Sequence, residues 1–400
     1  MVGCLSVFLL RMGVALILIQ GTEKTTHFPI GTWIKEKRAE TKSSASFWGA
    51  ALADFEKLAT GESEGVPIMP SADGVPWKFV LLFAKGDEQV RSDEWGLRHH
   101  NDAGQCCPHC LADRDAVPWS DLQSTAAWRP TVRAMTAAEF VARSRAPLHP
   151  LVASRFTWLS FFYLDVMHVM DCRGVGAVVY GSLVSTFVYW PALGATLGAR
   201  LDTLNRFMAE WYDLHPGVGR LPKLTSASLV LNGWTELHGP AVKAANSRHA
   251  APLFAAMARE YCPGGTDHEN LLIDVTLALE EFYEILANAE MFLSPAELAR
   301  FSDVTLELGV AMMKLRHLSE GRGLHRWQVK PKVHRMAHLP GFAKCINPRR
   351  VSCYSDESHI GTCCKIWKRS LVGRYQSHIQ RSALAKRWLS VVLRLELGLR

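Results

Sequence analysis

Between Asp165 and Tyr189 apolar residues fall on almost every side of a helical projection. A helix of that kind has no face to give to water, so other elements must wrap it. The chain that follows supplies them. Leu197, Leu201, Leu204, Met208 and Trp211 recur at steps of four and three and mark one apolar stripe. Leu272, Val275, Leu279, Phe282 and Leu286 mark another within residues 268–292. Ser294-Pro295-Ala296-Glu297 joins an N-cap, a proline at the first helical position and a capping-box glutamate, and it opens a third helix through about Leu318. No fixed period relates these helices, which argues against a solenoid.

Strands are expected earlier in the chain. Trp77 to Phe83 (WKFVLLF) is a short apolar run bounded by Pro76 and Gly86, the pattern of a buried strand. Residues 156–164 read as extended. Phe47, Ala51, Leu52, Phe55 and Leu58 recur at helical spacing, and Thr136 with Glu139 forms a capping box opening a short helix. The fold class expected is therefore α+β and mostly helical. Four regions follow: an apolar segment and polar linker at 1–46, a mixed region at 47–164 that holds clustered cysteines, a helical region at 165–320, and a basic region at 321–400 ending in an amphipathic helix.

Residues Val2 to Gln20 are nearly all apolar, broken by Arg11. A signal peptide wants a basic start, which this segment lacks. A membrane span would place Arg11 near mid-bilayer at a cost of ~2.5–3.5 kcal/mol. A buried strand or helix is the simpler expectation, with a membrane anchor through residues 2–20 as the competing one. The net charge of +7 suits a polyanionic partner without requiring one. The ten cysteines are unevenly spaced, with adjacent pairs at Cys106-Cys107 and Cys363-Cys364, unlike a secreted disulfide framework. A reducing compartment, nuclear or cytoplasmic, with one metal site accounts for them better.

Five motifs offer chemistry. Asp87 follows the strand, where a carboxylate either enters a crevice or caps a turn. Cys107-Pro108-His109-Cys110 places two thiols two residues apart, which is half of a tetrahedral zinc site or simply two unpaired cysteines. Asp165-Val166-Met167-His168 sets a carboxylate and an imidazole on one side of a helix start, as metal ligands or as a polar cap. His334 and His338 stand at i and i+4, but Arg335 occupies the place where a HExxH zinc protease needs glutamate. Around them Arg322, Arg326, Lys330, Lys332, Arg335, Lys344, Arg349 and Arg350 suit phosphate contacts or a solvated basic face. Finally, Tyr354-Ser355-Asp356-Glu357-Ser358-His359-Ile360-Gly361 precedes Lys365, Lys368 and Arg369.

Taken in order, these motifs resemble the catalytic region of CACTA-type DNA transposases over roughly residues 76–370. That family has an Asp after a strand, Cys-Pro-x-Cys, Asp-Val-Met-His, His-x-x-x-His-Leu-Pro and Tyr-x-x-Glu-x-x-x-Gly before a basic helix. Here stand Asp87, CPHC at 107–110, DVMH at 165–168, HRMAHLP at 334–340 and YSDESHIG at 354–361. The resemblance implies an RNase H-like α/β core interrupted by a large all-α insertion. It makes Asp87 and Glu357 the second and third catalytic acids. It makes Cys107, Cys110 and His168, with Asp165 beside them, ligands of a structural zinc ion. Lys332, Arg335, Lys365, Lys368 and Arg369 would contact DNA. An active enzyme would cleave and transfer DNA strands by in-line displacement at phosphorus, with two Mg²⁺ ions held by acids. No small-molecule cofactor and no membrane partner is expected.

One departure qualifies that activity. The family's first acid lies on a strand well upstream of the second, and neither Asp54 nor Asp73 occupies such a strand. A decayed transposase without strand transfer is therefore expected. The alternative is a non-catalytic, zinc-stabilised helical binding protein on the same scaffold. An acid on a strand beside that of Asp87 separates the two.

Overall fold

The computed structural model describes residues 4–11, 15–17, parts of 46–56, and 77–354 apart from 103, 135–136, 155–161, 230–232 and 240–241. The chain forms two compact units. One takes residues 1–99, 135–163 and 353–400; the other takes 100–134 and 164–352.

The first unit is built on a mixed sheet of four strands: β1 (Cys4–Arg11), β2 (Ala15–Ile17), β3 (Trp77–Lys85) and β4 (Phe162–Tyr163). The spatial order is β2-β1-β3-β4. β1 runs antiparallel to both its neighbours, with Leu9 opposite Ile17 and Cys4 opposite Lys85, and a bulge between Ser6 and Val7. β4 lies parallel to β3, with Ala84 opposite Phe162. The apolar N-terminal segment thus supplies two strands. Among the described residues no helix is long and apolar enough to cross a membrane.

Below β3 the chain turns at Gly86 and winds through a π-helical turn at Val90–Glu94. Helices α1 (Ala137–Ala142) and α2 (Pro150–Ala153) complete this unit. Its core gathers Ala84, Trp95, Phe140, Leu151, Val152 and Phe162, with Phe140 stacked on Phe162 at 5.5 Å. Arg91 is buried beside them, and its Nη1 donates to the carbonyls of Phe162 and Tyr163 at 2.9 and 3.0 Å. Those bonds satisfy carbonyls at the sheet's edge, which would otherwise stay open.

The second unit is helical among its described residues. A π-helical turn at Met167–Asp171 leads into α3 (Val175–Phe187), every residue of which is buried. The helix runs in two pieces where the sequence pattern suggested one, because Cys172 to Gly174 break it. At Gly174 an added Cβ would sit 2.2 Å from the carbonyl oxygen of Val169, so only glycine permits this turn. Thr186 of α3 is satisfied locally, its Oγ1 donating to the Ser182 carbonyl at 2.8 Å, while the Tyr180 hydroxyl donates to the distant Ser247 carbonyl at 3.0 Å.

After α3 come α4 (Leu197–Leu214), α5 (Ala251–Tyr261), α6 (Asp267–Asn288) and α7 (Pro295–Glu320); α5 and α6 pack against α3, α4 against α5, and α7 against α6. The stripe of α4 buries Leu201, Leu204, Met208 and Trp211, while Leu197 at its first turn stays partly exposed. Both α6 and α7 begin with complete capping boxes, Thr266 with Glu269 and Ser294 with Glu297. The two helices pack through Phe282 and Phe301, whose rings lie 4.9 Å apart. Arg300 of α7 adds an exposed bridge to Glu281 of α6. After α7 come the short helices α8 (Pro331–Met336) and α9 (Leu339–Ala343).

Candidate metal centre

Two local structures, far apart in sequence, make this site. The first is the loop that follows residue 104. Backbone N–H of Cys106 donates to the Ala112 carbonyl at 3.0 Å and closes the loop. Within it, the N–H of His109 points at Cys107 Sγ and the N–H of Ala112 at Cys110 Sγ, each at 3.4 Å. Such donors favour thiolate over thiol, because they stabilise negative charge on sulfur. The second is α8 with the turn after it. Pro331 starts α8, and Val333 to Met336 are all buried. His334 and His338 leave that segment on one side, as their spacing demands.

The two halves meet. Cys107, Cys110, His334 and His338 are all buried, and their four ligand atoms lie within 4.8 Å of one another. Cys107 Sγ is 3.5 Å from His338 Nε2, Cys110 Sγ is 3.3 Å from His334 Nε2, and the two Nε2 atoms are 3.1 Å apart. A tetrahedral zinc ion with Zn–S near 2.3 Å and Zn–N near 2.0 Å separates its ligand atoms by about 3.3–3.8 Å. The site therefore has the dimensions and the donor chemistry of Cys2His2 zinc coordination.

Its walls are aromatic. The Trp128 ring lies 4.4 Å from His334 and 5.1 Å from His338, and Phe342 packs edge-on to His109 at 5.3 Å. Burial pushes the Cys107 thiol up, but the hydrogen bond with Cys110 and the neighbouring imidazoles outweigh it and hold the thiol well below its usual range. Burial pushes His334 down, toward the neutral imidazole that a metal requires. Cys106, also buried, behaves differently. Burial raises it to about 11 and its Sγ faces the Ala112 carbonyl, so it stays a thiol outside the ligand set.

The sequence expectation paired Cys107 and Cys110 with Asp165 and His168. The structure completes the four-residue group with His334 and His338 instead. Asp165 turns to its own helix start, accepting from the N–H of His168 at 3.0 Å and bonding the His168 ring. The i, i+4 histidine pair was visible in the sequence. Its spacing alone suggests a protease motif, whereas in the fold it faces the cysteine pair.

Other expected site residues are distributed as follows. Asp87 Oδ1 accepts from the N–H of Val90 at 2.7 Å, so the carboxylate caps the turn after β3. Lys332 Nζ donates to the Cys172 carbonyl at 2.6 Å. Arg335, an expected DNA contact, is 7 % exposed and lines a small hollow with His100, Cys106, Trp119 and His334. Glu357, Lys365, Lys368 and Arg369 lie outside the described residues.

No protein-family model, curated protein or solved structure matches this chain. What can be said of the strand chemistry comes from the sheet itself. The neighbours of β3 are β1, with the sequence CLSVFLLR, and β4, with the sequence FY, and neither contains an acid.

Proposed function

We propose that this chain is a zinc-braced, non-catalytic nucleic-acid-binding protein built on a transposase-type scaffold. The observation that carries the zinc reading is the convergence of Cys107, Cys110, His334 and His338 at tetrahedral spacing in a buried pocket. With all four positions filled by protein, zinc has no place for water or substrate and acts as a brace. The ion would tie the cysteine loop to α8 and add its binding energy to folding.

DNA as partner is supported by the surplus of basic residues and by the order of motifs that resembles the CACTA-type family. An ancestral RNase H-like core agrees with a mixed sheet carrying the parallel pair β3–β4. Among the described residues, β1 and β4 beside β3 carry no acid, which favours the non-catalytic form over an active Mg²⁺-dependent transposase. A nuclear or cytoplasmic location follows from the same reading.

The test is metal analysis of the purified full chain together with fluorescence anisotropy on labelled DNA. About one zinc per chain, salt-dependent DNA binding and no Mg²⁺-dependent strand cleavage are expected. A chain purified from zinc-replete medium without zinc refutes the brace, and Mg²⁺-dependent cleavage refutes the non-catalytic reading.

A further inference from the structure

Arg326 is 7 % exposed, yet no carboxylate among the described residues pairs with it. Its Nη1 donates to Thr186 Oγ1 at 3.3 Å, and its guanidinium lies 5.1 Å from the centre of the Tyr189 ring. A largely buried cation with one neutral hydrogen bond is costly to keep. The chain nonetheless holds it firmly in place. Trp327, next in sequence, is fully buried with φ of 59°, a backbone state that bulky residues rarely adopt. Its N–H donates to Ser182 Oγ at 2.8 Å, and the His325 carbonyl accepts from the N–H of Thr235 at 2.9 Å. Residues 325–327 are thus pinned on both sides, and local strain is accepted to present Arg326.

The surroundings add positive charge. Arg322, exposed just after α7 and four residues before Arg326, adds a second positive charge beside it. Beside the cations the Tyr189 ring is 57 % exposed.

We infer that Arg326, Arg322 and Tyr189 form a binding site for single-stranded nucleic acid, taking a backbone phosphate on the two guanidinium groups and a base against the tyrosine. Guanidinium forks match phosphate oxygens, and an exposed aromatic ring beside them is a stacking platform for a base. An acidic peptide would satisfy the cations and leave the ring without a role. The site deepens the nucleic-acid reading proposed above and rests on it; it is independent of the zinc brace.

The test uses the full chain with a labelled 20-nucleotide dT strand, a duplex of equal length and a deca-glutamate peptide. Arg322 and Tyr189 are exposed, so Arg322→Ala and Tyr189→Ala should fold; Arg326→Gln is the third variant and exposed Lys223→Ala the charge-matched control. Tyr189→Ala should weaken dT binding about tenfold. Arg322→Ala should weaken it and lower the salt slope by about one, and Arg326→Gln should weaken it further, while Lys223→Ala leaves it near wild type. Wild-type binding that Arg322→Ala and Tyr189→Ala leave unchanged overturns this site while sparing the nucleic-acid reading. Binding of the duplex or the peptide alone also overturns the site. A wild-type chain that binds no nucleic acid at low salt overturns the reading beneath it as well.

Discussion

His334 Nε2 lies 3.3 Å from Cys110 Sγ although 224 residues separate the two in the chain. Burial of both groups among aromatic rings makes the contact expensive unless something compensates it. The proposed zinc ion would do so, by converting repelling thiolates and neutral imidazoles into one bonded unit.

Ligand variants should separate the observed four-residue set from the one the motif order suggested. Cys110→Ser and His338→Ala are expected to reduce zinc from about one ion per chain to near zero and to lower the melting temperature. His168→Ala should retain zinc, since His168 bonds Asp165 outside the set. Elemental analysis after gel filtration reads both results. Zinc retained in Cys110→Ser, or lost in His168→Ala, contradicts the assignment.

Stability of the metal-free chain should fall as the medium is acidified. Cys107 is held below its ordinary value and His334 is lowered by burial. In both cases the folded state binds fewer protons than the unfolded state, so stability rises with pH. The His334 contribution is complete above the unfolded histidine value near 6.5 and is lost as pH falls through its lower folded value. The Cys107 contribution is complete only above the unfolded thiol value and declines as pH falls toward its depressed folded value. Urea midpoints in EDTA at pH 8.5, 7 and 5.5 should therefore descend in that order. His334→Ala should flatten the part of the descent below neutrality.

Gly181 of α3 allows the chain near residue 236 to touch the helix. A Cβ there would stand 2.3 Å from the carbonyl carbon of Glu236 and from the N–H nitrogen of Leu237. That N–H donates to the Ala177 carbonyl at 2.8 Å, so the backbones cannot part without losing a bond. Gly181→Ala should cost ~2–3 kcal/mol, despite alanine's better helix propensity. An unchanged denaturation midpoint would mean the segment near residue 236 is not held against α3.

At the start of α7 the effect should be smaller. Ser294 Oγ accepts from the N–H of Glu297 at 3.3 Å, and Glu297 Oε2 accepts from the N–H of Ser294 at 2.8 Å. Ser294→Ala removes one half of this exchange and should cost about 1 kcal/mol. Chemical denaturation at neutral pH measures it.

Much of this architecture was readable because local rules governed it. The run WKFVLLF marked β3, which continues two residues further, to Lys85, and Ser294 with Pro295 marked the start of α7. The uniformly apolar stretch from Asp165 foretold a helix with no solvent face, though not the break at Gly174, which depends on one close backbone approach. The metal centre was half legible. Each pair of ligands carried its spacing in the sequence, but their partnership depends on how the helices fold back, and no local pattern encodes that. Side-chain burial was less legible: a crowd of basic residues looks like surface, yet Arg335, beside Val333, His334 and Met336, is as buried as Arg326, each 7 % exposed.

The separation of the two ligand pairs also sets a timetable for making the protein. Cys110 leaves the ribosome 224 residues ahead of His334, roughly 10–45 s earlier at ordinary elongation rates. Through that interval the sulfur pair faces the cell with no imidazole partner, open to oxidants and to thiol-seeking metals. On the zinc reading, the ion could be locked in only when almost the whole helical unit has been synthesised, so loading it would be a late act of maturation, and a prematurely stopped chain would be left with an exposed dithiol.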